Sequence, residues 1–154
     1  MKIGYAALTK GVFIKQYKSY RLKDLLEDEE KVIDIIDYNL EVLKATIKYN
    51  INRDIKFFRI SSSIIPLASH EKMKLNWQEI FKHKLREIGS LISDSKIRVS
   101  MHPGQYSILN SPNPQVVEKT KRDLSYHNDF LNSLGLDSKS KIILHIGRIY
   151  GYKS

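Results

Sequence analysis

The stretch Ile97-Arg98-Val99-Ser100-Met101-His102-Pro103-Gly104-Gln105-Tyr106 decides how the chain is read. Ile97, Val99 and Met101 alternate with Arg98 and Ser100, the period of a short strand. Pro103 and Gly104 stop it, so a histidine is left at the strand's carboxyl end, followed by a turn that presents an amide and a phenol. Beyond the turn, Asn113 is suited to cap a helix and Pro114 fits its first position. Strand, polar turn and capped helix make one unit of an α/β protein, with polar groups where such folds keep their sites.

The same unit recurs along the chain. Lys2 to Ala6 reads as a first short strand, and Leu8 to Tyr20 as a loop. Glu27-Asp28-Glu29-Glu30 opens a helix with carboxylates at its amino end. Val32, Ile35, Ile36, Asn39, Leu40, Leu43 and Ile47 share its inner face, and Asn39 is assigned to bonding a neighbouring loop. Lys56 to Ile60 is a second strand, followed by the long loop Ser61 to His70. A second helix is predicted over about Asn76 to Ser93, with Trp77, Ile80, Phe81, Leu85, Ile88 and Leu91 inward. A third runs from Pro114 to about Leu134, with Val117, Leu124, Leu131 and Leu134 inward, and ends at Gly135. Lys141 to Gly147 is a fourth strand, apolar enough to be buried on both faces.

Strands alternating with helices argue for parallel βαβ units in one domain over residues 1–154. A doubly wound domain of this size would finish with a helix over its last strand, whereas this chain runs into a polar loop. A complete (β/α)₈ barrel needs about 250 residues. The fold class is therefore α/β, read as the amino-terminal half of a TIM barrel.

The 154 residues include no cysteine, which excludes disulfides and thiolate metal sites and leaves His, Asp, Glu or water to hold any cation. No apolar run has membrane-spanning length and no signal peptide is visible, so a cytoplasmic protein without a membrane partner is expected. The net charge of +9 favours a polyanionic partner, although basic composition alone decides nothing. His83 and His127 fall within predicted helices and are assigned to surface or stripe-edge positions. His70, His102 and His145 lie at or just past strand carboxyl ends, which converge on one mouth in a barrel, and imidazoles gathered there suit a divalent metal. Carboxylates are the gap in that site. No Asp or Glu sits at a predicted strand end, and Glu71 is only the nearest.

Phe58-Arg59-Ile60-Ser61-Ser62, Ile65 to His70, Ser100 to Tyr106, Leu109 to Pro114 and His145-Ile146-Gly147 together resemble the UV-damage endonucleases. The resemblance runs in order from Gly4-Tyr5 to Gly151, and Ser-Met-His-Pro-Gly-Gln-Tyr followed by Asn-Ser-Pro-Asn-Pro is its most specific part. It implies a metal-dependent endonuclease on a TIM barrel that cuts damaged double-stranded DNA 5′ to ultraviolet photoproducts and abasic sites. His102 and His145 match metal ligands, usually for manganese. Gln105 and Tyr106 match the pair that reads the lesion, and Tyr5 and His70 match positions near the reacting phosphate and metals.

Arg148 follows Gly147 where that family commonly has a second glycine, and Thr9 stands where an asparagine is common. The family's remaining ligands come from the other half of its barrel. The chain is thus expected to need a carboxyl-terminal half or a dimer mate, to self-associate without one, and to be inactive alone. A sugar isomerase or epimerase on the same barrel, or a non-catalytic DNA-binding remnant, are the competing readings.

Overall fold

A computed structural model describes residues 4–6 and 15–144. Four strands, β1 (Gly4–Ala6), β2 (Phe57–Ile60), β3 (Arg98–Met101) and β4 (Lys141–Ile142), form one parallel sheet in the order β1-β2-β3-β4. Five helices lie between them: α1 (Leu22–Glu27), α2 (Glu29–Asn52), α3 (Trp77–Ile80), α4 (Lys82–Asp94) and α5 (Pro114–Ser133). Sequential order matters here. Right-handed crossovers that always step in the same direction put every helix on the same face, which is barrel and not doubly wound topology.

The register separates the two faces. Tyr5, Phe58 and Val99 are neighbours across three strands, with Ile60, Met101 and Ile142 on the same side. Phe58, Ile60, Val99 and Met101 are buried in one apolar cluster with Ile36, Leu40 and Leu43 of α2, Leu85 and Ile88 of α4, and Phe130 of α5. Alternate residues, among them Phe57, Arg59, Arg98, Ser100 and Lys141, face the other way and none is fully buried. One apolar core therefore serves the described residues, between the sheet and its helices.

Most element boundaries follow local chemistry. Asp28 caps α2, its carboxylate accepting from the Lys31 amide at 3.0 Å, and Asn113 caps α5 through the Gln115 amide at 2.9 Å. Gly135, with φ +73°, ends the α5 segment as read from the sequence. Gly89 permits the approach of α4 to the end of α5, since a Cβ there would lie 1.7 Å from the Leu134 carbonyl oxygen. Lys84 in the first turn of α4 bonds Asp37 at 2.5 Å and Glu41 at 2.9 Å, fastening the start of α4 to the middle of α2.

Several expectations are corrected. The acidic run does not open a single helix: Asp28 separates α1, which ends at Glu27, from α2. The second predicted helix is broken at Phe81, which turns its own ring into the core and leaves Ile80 47% exposed. On α5 the inner face carries Thr120, Tyr126, His127, Phe130 and Leu131, while Val117 and Leu124 are only half-buried. His127 is not at the surface but fully buried, its Nδ1–H donating to the Asp123 carbonyl at 2.6 Å. The described part of the fourth strand as read from the sequence is not buried on both faces either. Ile143 is 39% exposed, because no described element covers the sheet opposite the helices. Thr9, His145, Gly147 and Arg148 lie outside the described residues.

Candidate functional site

In a sequentially ordered parallel sheet the carboxyl ends of all strands point the same way, so the segments after β2 and β3 share one end of the molecule. The first begins with Ser61 and a 3₁₀ turn, Ser62–Ile64, and reaches His70. Buried side chains from distant elements hold it. Tyr126 of α5 donates its hydroxyl to the Ser62 carbonyl at 3.0 Å and accepts from the Ile65 amide at 3.3 Å. Tyr20 donates to the Pro66 carbonyl, and Asn39 of α2 donates to the Ile64 carbonyl at 3.1 Å. Burial pushes the phenols of Tyr20 and Tyr126 well above their ordinary range, so both remain hydrogen-bond donors even where a free phenol would ionise. Leu67 carries a φ of +56°, a strained value for a branched side chain, within this pinned loop.

His70 is half-buried near the loop's end, and its Nδ1 accepts from the Lys72 amide at 3.1 Å. That bond assigns the proton of the neutral ring to Nε2, making the far side of the imidazole a donor suited to an anionic oxygen.

The second segment is the turn after β3. His102 is half-buried directly at the strand's end, and Pro103 behind it is buried. Gly104, Gln105 and Tyr106 are exposed, the tyrosine by 73%. The chain is fastened immediately afterwards. The Ser107 amide donates to the Gly104 carbonyl at 2.9 Å, closing the turn. The Ser107 hydroxyl donates to Asp123 of α5 at 2.6 Å, and the Ile108 amide donates to the Thr120 hydroxyl at 3.0 Å. An amide and a phenol thus stand out in solvent on a base clamped to a helix. Sequence reading did not find Asp123, Thr120, Tyr20 or Tyr126. Thr120 lies on the same helical stripe as His127, Leu131 and Leu134, a pattern hidden by its polar members.

The two segments meet. Gly104 of the turn and Ser62, Pro66 and Ser69 of the loop line one cleft of about 220 Å³, with Asp123 and Tyr126 in its wall. Tyr5 does not join them. Its ring packs on Phe58 at 5.1 Å, on the helix-covered face, and its hydroxyl donates to Asn50 at 2.7 Å. Asn50 belongs to the last turn of α2, which lies towards the amino end of β2. Among the described residues no three His, Asp or Glu side chains are grouped to hold a cation. His102 alone of the two predicted metal ligands is described. A cation at this end would need donors beyond the described set.

The family model for the UV-endonuclease UvdE matches residues 2–154. The chain belongs to that family. It is 47% identical, over 99% of its length, to the UV DNA damage endonuclease of Clostridium perfringens, and 35% identical, over 89%, to that of Bacillus mycoides. The crystal structure of SacUVDE superposes on 96% of the chain with a TM-score of 0.89 and 41% identity. The sequential parallel sheet is thereby a half of the family's barrel. The chain spans 37% and 43% of the two curated relatives and 50% of the solved one. No helix of the described residues is long and apolar enough to cross a membrane.

Proposed function

We propose that this chain contributes half of the site of a DNA-repair endonuclease that cleaves the backbone 5′ to ultraviolet photoproducts and abasic sites. The observation that carries the reading is the exposed Gln105-Tyr106 turn, clamped by Asp123 and Thr120 beside a strand-end histidine, in a member of the UvdE family. A planar amide and a phenol on a rigid base can enter a helix already weakened by damage, where unstacking costs less, so recognition is by deformability and not by base identity. His70 supports the phosphate, since its Nε2–H is available to donate to a non-bridging oxygen.

The cation in this reading is manganese, held by His102 and His145 together with donors from outside this chain. When bound, such an ion activates water and neutralises phosphate charge. Tyr5, whose hydroxyl donates to Asn50, would exchange that partner to serve near the reacting phosphate. The net charge of +9 supplies phosphate attraction that is independent of sequence.

The test joins residues 1–154 to the remainder of the Clostridium perfringens relative and assays nicking of irradiated supercoiled plasmid with manganese. The joined protein should nick, and His102→Ala should abolish it. Gln105→Ala with Tyr106→Ala should weaken binding to irradiated duplex at least tenfold more than to intact duplex. The 154-residue chain alone should not nick. A folded joined protein without activity, or equal loss on both duplexes, overturns the reading.

A further inference from the structure

Two loops carry the groups proposed to meet DNA, and each runs well past the sheet before it does so. Ile65 lies five residues beyond the last residue of β2, and Tyr106 five residues beyond that of β3. The sheet fixes where the loops leave it, because neighbouring strands stand about 4.8 Å apart. Five residues of extended chain span about 17 Å, so the sheet alone does not fix where the loops end.

Helix α5 holds both. Asp123 accepts from the Ser107 hydroxyl at 2.6 Å and Thr120 from the Ile108 amide at 3.0 Å, directly behind Gln105 and Tyr106. Tyr126 is three residues on, about 4.5 Å along the helix axis. It takes the other loop, accepting from the Ile65 amide at 3.3 Å and donating to the Ser62 carbonyl at 3.0 Å. From Ile65 the backbone carries that hold to the histidine. The Ala68 amide donates to the Ile65 carbonyl at 3.3 Å, and the His70 amide to the Leu67 carbonyl at 2.9 Å. The helix is itself seated in the core by Phe130 and Leu131, and the buried His127 places its Nδ1 3.7 Å from the Asp123 carboxylate. Asp123 and Tyr126 also wall the cleft that Gly104 of one loop shares with Ser62, Pro66 and Ser69 of the other.

We infer, resting on the endonuclease reading, that Asp123 and Tyr126 are positioning residues that set lesion selectivity and the bond that is cut. Helix α5 keeps the Gln105-Tyr106 turn and the His70 loop at one separation, so that a turn seated in a lesion leaves a single phosphate within reach of His70. Each residue acts through the loop it holds, Asp123 through Ser107 and Tyr126 through Ile65. A carboxylate repels phosphate, which makes Asp123 ill suited to touch DNA and well suited to hold a residue that does. The separation has to be tight. Successive phosphates of one strand follow at a rise of about 3.4 Å, so slack of that size moves the cut by a nucleotide.

The test uses residues 1–154 joined to the remainder of the Clostridium perfringens relative, with a duplex carrying one abasic site. Asp123→Ala should lower the ratio of damaged to intact duplex affinity about three- to tenfold, the usual contribution of one hydrogen bond. It should also move part of the cutting to neighbouring bonds. Asp123→Asn keeps an acceptor for Ser107 and should restore both. Ser107→Ala removes only the donor and should repeat the effect of Asp123→Ala, which keeps the test open if that variant does not fold. Tyr126→Phe should lower kcat by a similar factor with KM unchanged. A general loss of structure would instead lower cutting at every bond alike. A wild-type protein that discriminates, with Ser107→Ala discriminating and cutting as it does, overturns the inference and leaves the endonuclease reading standing. A wild-type protein that binds damaged and intact duplexes alike overturns that reading and the inference with it.

Discussion

On one side of the sheet Phe58, Ile60, Val99 and Met101 are buried beneath α2, α4 and α5; on the other, Arg59, Ser100 and Lys141 stand in a row with no described helix above them. The backbone is shared and the alternation is strict, so the difference lies wholly in what each face meets. Strands buried on both sides by apolar layers read as continuous hydrophobic runs. β2 and β3 do not, and their polar residues mark the side that a barrel encloses. A parallel strand with period-2 alternation therefore signals an interior of charged layers, which is more demanding to close than an apolar one, because each buried charge needs a partner.

The largest test of this contrast is a pair of substitutions on adjacent residues. Phe58→Ala removes a ring that is 2% exposed and should cost about 3–5 kcal/mol. Phe57→Ala, on the open face, should cost about 1 kcal/mol or less. Urea unfolding midpoints of the 154-residue chain measure both, and equal losses would show the open face to be covered.

A smaller effect probes how the covered side reaches the functional end. Asn39 accepts from the Lys18 amide at 2.7 Å and donates to the Lys18 and Ile64 carbonyls. Asn39→Ala should destabilise by about 1–3 kcal/mol through unsatisfied buried groups. It should also raise amide exchange at Ile64 and Ile65 before it does so in β3. Uniform acceleration throughout the chain would make Asn39 a global and not a loop-holding contact.

The smallest effect is at the outer layer. The hydrogen bond from Lys84 holds Glu41 below the ordinary glutamate value of 4.5, with burial opposing. Burial also opposes the shift at Lys84, but its bonds to Asp37 and Glu41 prevail and raise it above 10.5. Glu41 therefore adds stability that is present above pH 4.5 and is lost as the pH falls below it. The contribution of Lys84 is present below pH 10.5 and lost above it. Because Glu41 is about half exposed, solvent screening limits the pair to about 0.5 kcal/mol. Glu41→Gln should reduce the total loss of stability on acidification by that amount; an unchanged loss would place the ion pair outside the energetics of the fold.

Sequence alone determined what is local. The alternation of Val99-Ser100-Met101, the cap at Asn113, and the stop at Gly135 act within a few residues, and they fix element type and order. The strand-end position of His102 and the turn carrying Gln105 and Tyr106 follow from the same local rules, as did the bonding of Asn39 to a loop. Packing decided the rest. Tyr126 reaches a carbonyl 64 residues away, and Asp123 takes a hydroxyl 16 residues back. His127 is buried because α5 turns Thr120, His127 and Leu131 inward together. No periodicity encodes those pairs, since a hydrogen bond between distant residues depends on the angle at which a helix settles on the sheet. That angle is set by side-chain volumes summed over the whole core.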